Sequence, residues 1–248
     1  MTAVSDCATY LVKGEKDVLI DCGSGEAHEK LVENIEKAGG DVMNIDCVIG
    51  THGHYDHLAG LEKLRAMNPS IRLAMRREDA GQIETGDPEL TCAEWFFGAE
   101  MPGQKVDVIF DSDQIFSAGG MDFEIMHTPG HTPGSICIKL DIDDKLALFT
   151  GDCISPGNDR VRSDREDWEA TLDMLHNEDF DLLLPGHANN WVMDPFTLAL
   201  TAKSFLGGPA DAAFDFLRKR LTNQIWTFFT FNYSHITPVL ARFGAKKK

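Results

Sequence analysis

The stretch GTHGHYDHLAG, residues 50–60, places three histidines and an aspartate within the six positions from His52 to His57, in a chain with nine histidines in all. Burying several imidazoles and a carboxylate without partners costs on the order of several kcal/mol, so a cluster like this suits a metal ion far better than a core. The preceding DCVIGTH reads as a buried strand, and the following LAGLEKLRAMNPS as a helix stopped by Asn-Pro. His52 and His54, two apart at a strand end, lean to the same side and can grip one ion. Asp56 and His57 lie on the turn that enters the helix, whose N-terminal amides favour a nearby anion. Any fold that accepts this segment must join a sheet edge, a loop and a helix start, and must supply further ligands from elsewhere in the chain.

Three later segments have the right form: TPGHTPGS around His131, FTGDC around Asp152 and LPGHAN around His187. Each sets one ligand-type residue just after an apolar strand and beside a glycine, where loops leave a sheet edge and the backbone can turn sharply.

The remaining pattern fits a single domain of mixed strands and helices. CATYLV and DVLIDCG form a hairpin, EAHEKLVENIEKAGG a helix with a glycine stop, and IRLAM a short strand. KVDVIF, MDFEIMH, SICIKLD and KLALFTGD read as successive strands, REDWEATLDMLHN as a helix and DLLLPGH as a last strand. Glu78 to Gln104 is the least regular part, with AEWFFGAEM a candidate helix capping a pocket. From about residue 195 a helical extension is expected, DAAFDFLRKRL being its clearest amphipathic stretch. Helices outside two packed sheets satisfy this order.

The formal charge of −17 opposes phosphate backbones, because nucleic-acid affinity comes from lysine and arginine displacing counterions; nucleic acid is therefore not the expected partner. No apolar window is long enough for a membrane span and the start lacks a secretory pattern, so a cytoplasmic protein acting on a small molecule, without membrane contact, is expected. The six cysteines show no CxxC pair and mostly sit in apolar runs, which fits buried free thiols. The run IWTFFTFNY is apolar enough for a core helix, a pocket wall or the face of a homo-oligomer.

With these motifs in order, the sequence resembles the metallo-β-lactamase superfamily from about residue 7 to residue 190. HxHxDH is present as His52, Gly53, His54, Tyr55, Asp56 and His57, followed by His131, Asp152 and His187, while LIDCGSG resembles the family's second-strand signature and carries Asp21 in a supporting position. The resemblance implies an α+β fold, an αββα four-layer sandwich of two mixed β-sheets packed face to face with helices on both outer faces. It also implies two metals, one held by His52, His54 and His131, the second by Asp56, His57 and His187, with Asp152 bridging and with Asp56 and Asp152 counted as catalytic. Mixed imidazole and carboxylate ligands suit Zn²⁺, with Fe or Mn as alternatives. Two divalent ions sharing a carboxylate can share a hydroxide, the expected nucleophile toward the carbonyl of an ester, thioester, lactone or amide. A glyoxalase II-like thioesterase is one candidate, although the basic C-terminal signature for glutathione is absent; a lactonase or β-lactamase fits the ligands equally well. A second reading is an iron-dependent persulfide dioxygenase with a single Fe(II) at His52, His131 and Asp152.

Around this set, Asn158, Arg160 and Arg162 lie just past Asp152 and are candidates to meet a substrate carboxylate. Tyr55 and His235 are candidate pocket residues, with packing beneath the loop an equal reading for Tyr55. His28, His127 and His176 are expected outside the site, and Cys153 is expected in the core, since alternation points it away from Asp152.

Overall fold

The computed structural model describes residues 6–155 and 159–187; the C-terminal extension expected from about residue 195, together with Asn158 and His235, lies outside the described residues. The early strands are β1 (Tyr10–Val12), β2 (Asp17–Ile20), β3 (Ile45–Ile49), β4 (Arg72–Arg76) and β5 (Val108–Phe110). They form one sheet in the order β1-β2-β3-β4-β5, antiparallel at the β1/β2 hairpin and parallel from there on. The later strands β6 (Gln114–Ala118), β7 (Met121–His127), β8 (Ile136–Ile142), β9 (Lys145–Gly151) and β10 (Leu182–Pro185) form the second, in the order β10-β9-β8-β7-β6. Here only the β9/β10 pair is parallel. Both sheets are mixed, as expected.

Strand alternation divides the apolar residues between layers. In the first sheet Tyr10, Val12, Val18, Ile20, Cys47, Ile49 and Ala74 face the second sheet, meeting Phe123, Ile125, Ile138 and Phe149. Their neighbours Leu11, Leu19, Val48, Leu73 and Met75 point the other way, toward helices. With both faces covered, these strands lack a polar alternation, which explains the continuous apolar runs of their sequence. The helices on that outer face are α1 (His28–Lys37), α2 (Tyr55–Leu58), α3 (Leu61–Met67) and α4 (Arg77–Thr85), and they contribute Leu31, Ile35, Leu58, Leu61, Leu64 and Ile83. On the far side, α5 (Arg165–His176) sets Leu175 against Met126, Cys137 and Leu148 of the second sheet. The order of layers is helix, sheet, sheet, helix.

Two elements depart from the sequence reading. Helix α4 occupies the start of the stretch read as irregular: it buries only Asp79, Ala80, Gln82 and Ile83, carries a glycine at its centre and ends at Gly86 in the left-handed region (φ 66°). Packing rather than periodicity specifies it. Strand β6 was not expected, because only Ala118 of its five residues is buried and an edge strand of that kind has no apolar signature. In AEWFFGAEM the structure has a single π-helical turn, Ala93–Phe97, set between the left-handed residues Cys92 and Gly98. All six cysteines are free and buried; Cys153 packs with its Sγ 3.2 Å from that of Cys137, in the core as expected. Among the described residues no helix is long and apolar enough to cross a membrane.

The topology decides where chemistry can occur. Strands β2 and β3 are parallel, and β7 and β9 share a direction with β10, so the ends of all five deliver their following loops to one edge of the sandwich. There the sheets are tied together: Ile136 donates its amide to the carbonyl of Thr51 at 2.9 Å, and the Tyr10 hydroxyl donates to the Pro185 carbonyl at 2.7 Å.

Candidate metal centre

The seven residues expected to be ligands converge at this edge. His52 Nε2 and His54 Nδ1 lie 2.9 Å apart, and His131 Nε2 lies 3.2 Å from the same His54 nitrogen. Beside them, His57 Nε2 is 3.3 Å from His187 Nε2, which is 3.0 Å from Asp56 Oδ2. Asp152 stands between the two groups, with Oδ2 3.7 Å from His131 and 3.4 Å from His187, and Oδ1 3.6 Å from His57. His52, His54 and His131 form one set of atoms able to hold an ion, and Asp56, His57 and His187 form another.

The surroundings settle which imidazole nitrogen faces inward. Asp21, at φ 55° just past β2, accepts from the Thr51 amide and hydroxyl and from His57 Nδ1, each at 2.8 Å. Since a carboxylate only accepts, His57 carries a proton on Nδ1, which leaves Nε2 as the nitrogen that faces the site. The Thr51 hydroxyl, its own proton given to Asp21, can accept from His52 Nδ1 at 3.1 Å. The Ser155 carbonyl does the same for His131 Nδ1 at 3.2 Å. Three rings thus present Nε2 to the cluster. The buried atoms Asp152 Oδ1 and His54 Nε2 have no hydrogen-bond partner among the described residues. Imidazole nitrogens crowded against one another, with a buried carboxylate oxygen left unsatisfied, are what a bound cation would relieve.

Electrostatics separates the two groups. Burial, reinforced by neighbouring imidazoles, holds His52 well below the ordinary histidine range and brings His54 down to about 3. His131 is also lowered, by burial first, against the pull of Asp152. Burial disfavours charge on His57 and His187 as well. There the surrounding groups outweigh it, Cys7, Asp21 and Asp152 around His57 and Asp152 and Asp56 around His187, so both are raised. In turn His187, His57 and His131 hold Asp152 well below the carboxylate range despite its burial, and His57 and His187 lower Asp56 against its own burial. The three-histidine group is therefore neutral and ready for a cation, while the second group is a charge-paired set that must release protons to accept one.

Glycine permits the close approach of His187 to Asp152. A Cβ on Gly186 would lie 2.4 Å from Asp152 Oδ1, 2.9 Å from the Gly151 carbonyl carbon and 2.9 Å from His57 Cε1. Gly186→Ala is accordingly expected to cost about 1–3 kcal/mol of stability, seen as a lower Tm of the metal-free protein.

The other candidates lie outside the ligand cluster itself. Tyr55 is buried with its ring 5.2 Å from Phe97, in the core beneath the helices, so its packing reading holds and a substrate contact is not what its position suggests. Arg160 is exposed, its guanidinium 5.1 Å from the centre of the Trp95 ring. Arg162 donates to the Gln82 side chain at 2.6 Å and to the Glu78 carbonyl at 3.2 Å, a fastening rather than a free anion hook. His127 Nε2 lies 2.8 Å from the Pro133 carbonyl, outside the cluster as expected. Thr51 and Asp79 are supporting residues that sequence reasoning did not find.

The segment that carries Trp95 approaches the site, since the Tyr55 amide donates to the Thr91 carbonyl at 2.8 Å. The buried Cys92 thiol is pushed up to about 12, by burial first and then by the charges of Asp56 and Asp152.

The family model of the metallo-beta-lactamase superfamily matches residues 3–187, three quarters of the chain. The chain belongs to the metallo-β-lactamase superfamily. A probable metallo-hydrolase of Methanocaldococcus jannaschii is 31% identical over 59% of this chain and 66% of its own length. The human acyl-coenzyme A thioesterase MBLAC2 is 26% identical over 73% of each. Among solved structures, a metallo-β-lactamase of Cronobacter sakazakii matches at a TM-score of 0.67 with 21% identity, covering 89% of this chain and 87% of that one, a likeness of fold. The chain spans about half to two thirds of the length of the first curated relatives it matches.

Proposed function

We propose that the protein is a dinuclear metal-dependent hydrolase of small-molecule thioesters. The observation that carries this reading is the pair of complete ligand groups, His52/His54/His131 and Asp56/His57/His187, meeting across Asp152. The completeness of the second group favours two ions over a single iron at the first, and an imidazole and carboxylate donor set suits Zn²⁺. Bound there, two divalent ions would supply Lewis acidity and a water deprotonated near neutral pH. The chain's own residues do the rest. Asp21 and Thr51 hold His57 and His52 in one tautomer and one orientation. Asp152 and Asp56 stay ionised, so they act as ligands and fixed charge rather than as proton donors. Burial of the imidazoles limits competing bulk water and strengthens every charge interaction inside.

The thioester class draws on the relative named as an acyl-coenzyme A thioesterase and on the rim beside the site. There Phe96 is 64% exposed next to Trp95, itself stacked by Arg160. An apolar surface with a cation suits a substrate that has an acyl chain and an anionic leaving part.

The test is a panel of acyl thioesters, lactones and β-lactams assayed before and after chelation. Thioester hydrolysis is expected to be the fastest, to vanish on chelation and to return with Zn²⁺. Turnover that survives complete metal removal would refute the reading, and a lactone or β-lactam turned over faster than every thioester would refute the substrate class.

A further inference from the structure

Asp79, in the first turn of α4, is fully buried and both its carboxylate oxygens are engaged. Oδ2 accepts from the Gly53 amide at 2.9 Å and from the Thr132 hydroxyl at 2.6 Å, and Oδ1 accepts from the Gly134 amide at 3.0 Å. Gly53 lies between His52 and His54, and Thr132 follows His131. One side chain therefore joins the two loops that carry the three-histidine group. One helical turn on, Gln82 donates to the Gly53 carbonyl at 2.8 Å and accepts from Arg162, on the loop that leaves Asp152. The backbone is shaped around this anchor. A Cβ on Gly134 would stand 2.5 Å from Asp79 Cγ and 2.7 Å from its amide nitrogen, and one on Gly53 would stand 2.4 Å from Gln82 Nε2. The two glycines of HGH and TPG in this chain are thus explained by the approach of α4 as well as by turning.

We propose that Asp79 is the positioning residue of the three-histidine group: it fixes the spacing of the His52–His54 loop against the His131 loop and so sets the affinity and geometry of the ion held there. The inference rests on the dinuclear reading above. Three donors meet Asp79, and an asparagine in its place turns an NH₂ group against at least one of them, keeping the volume while breaking the clamp.

The experiment is titration of metal-free wild type and Asp79→Asn with Zn²⁺ against a chromophoric chelator, with Co²⁺ absorption spectra of both and the Tm of the metal-free forms. In wild type two ions bind. In Asp79→Asn one of them is expected to bind about 10–100-fold more weakly, the usual effect of losing a group that orients ligands. The Co²⁺ bands of that ion change while the other ion is retained. If Asp79→Asn does not fold, Thr132→Val removes a single donor and is expected to weaken the same ion, with Thr132→Ser restoring it. Equal affinities and unchanged Co²⁺ spectra in a folded variant would overturn the role of Asp79 and leave the dinuclear reading standing. A wild type that binds no more than one ion would overturn both.

Discussion

Asp152→Ala is expected to abolish measurable hydrolysis, a loss well beyond the about 100-fold that removal of a merely supporting partner produces. Asp152 faces both groups, within 3.4–3.7 Å of His57, His131 and His187, and no other described carboxylate reaches all three. Its removal deletes the shared negative charge and leaves His57 and His187, whose raised protonation depends on it, less able to stay paired. The measurement is kcat/KM on the best substrate of the panel together with metal content. Loss of activity with at least one ion lost supports the account. A variant that keeps both ions and wild-type turnover contradicts it.

The second large effect is expected at Asp21. Three donors, the Thr51 amide, the Thr51 hydroxyl and His57 Nδ1, point at its two oxygens, so Asp21→Asn must present an amide hydrogen to one of them. Either His57 loses the partner that fixes its proton on Nδ1, or Thr51 turns and releases His52. Both routes damage the site through ring orientation, one in each group, and a fall of about 10–100-fold in metal affinity is expected. Metal competition read alongside Tm separates this from simple unfolding: affinity should fall in a variant that still melts cooperatively. Unchanged affinity in such a variant would show that the tautomer is held by something else.

Most of the ligand set was legible in the sequence, because a metal site leaves a trace that packing does not erase: imidazoles and carboxylates beside glycines at strand ends. The strands of the sandwich were legible for a related reason. Burial on both faces turns residues such as Cys47–Ile49 and Leu146–Phe149 into unbroken apolar runs. Helix α4 was not, since its buried face consists of Asp79, Ala80, Gln82 and Ile83, two of them polar for the sake of the neighbouring loops. That is also why Asp79 escaped notice: an acid in the first turn of a helix ordinarily signals the helix dipole, and only the fold shows it facing Gly53 and Gly134. Tyr55 admitted two readings from the sequence, pocket or packing. Its place inside HGHYDH suggested the pocket, but the short helix that swings Asp56 and His57 toward the site turns Tyr55 to the core.

The measurement that tests the central claim most directly is the metal content of protein purified without added metal or chelator, by elemental analysis. The account predicts about two zinc ions per chain, one for each ligand group. About one iron per chain, with little zinc, would contradict it.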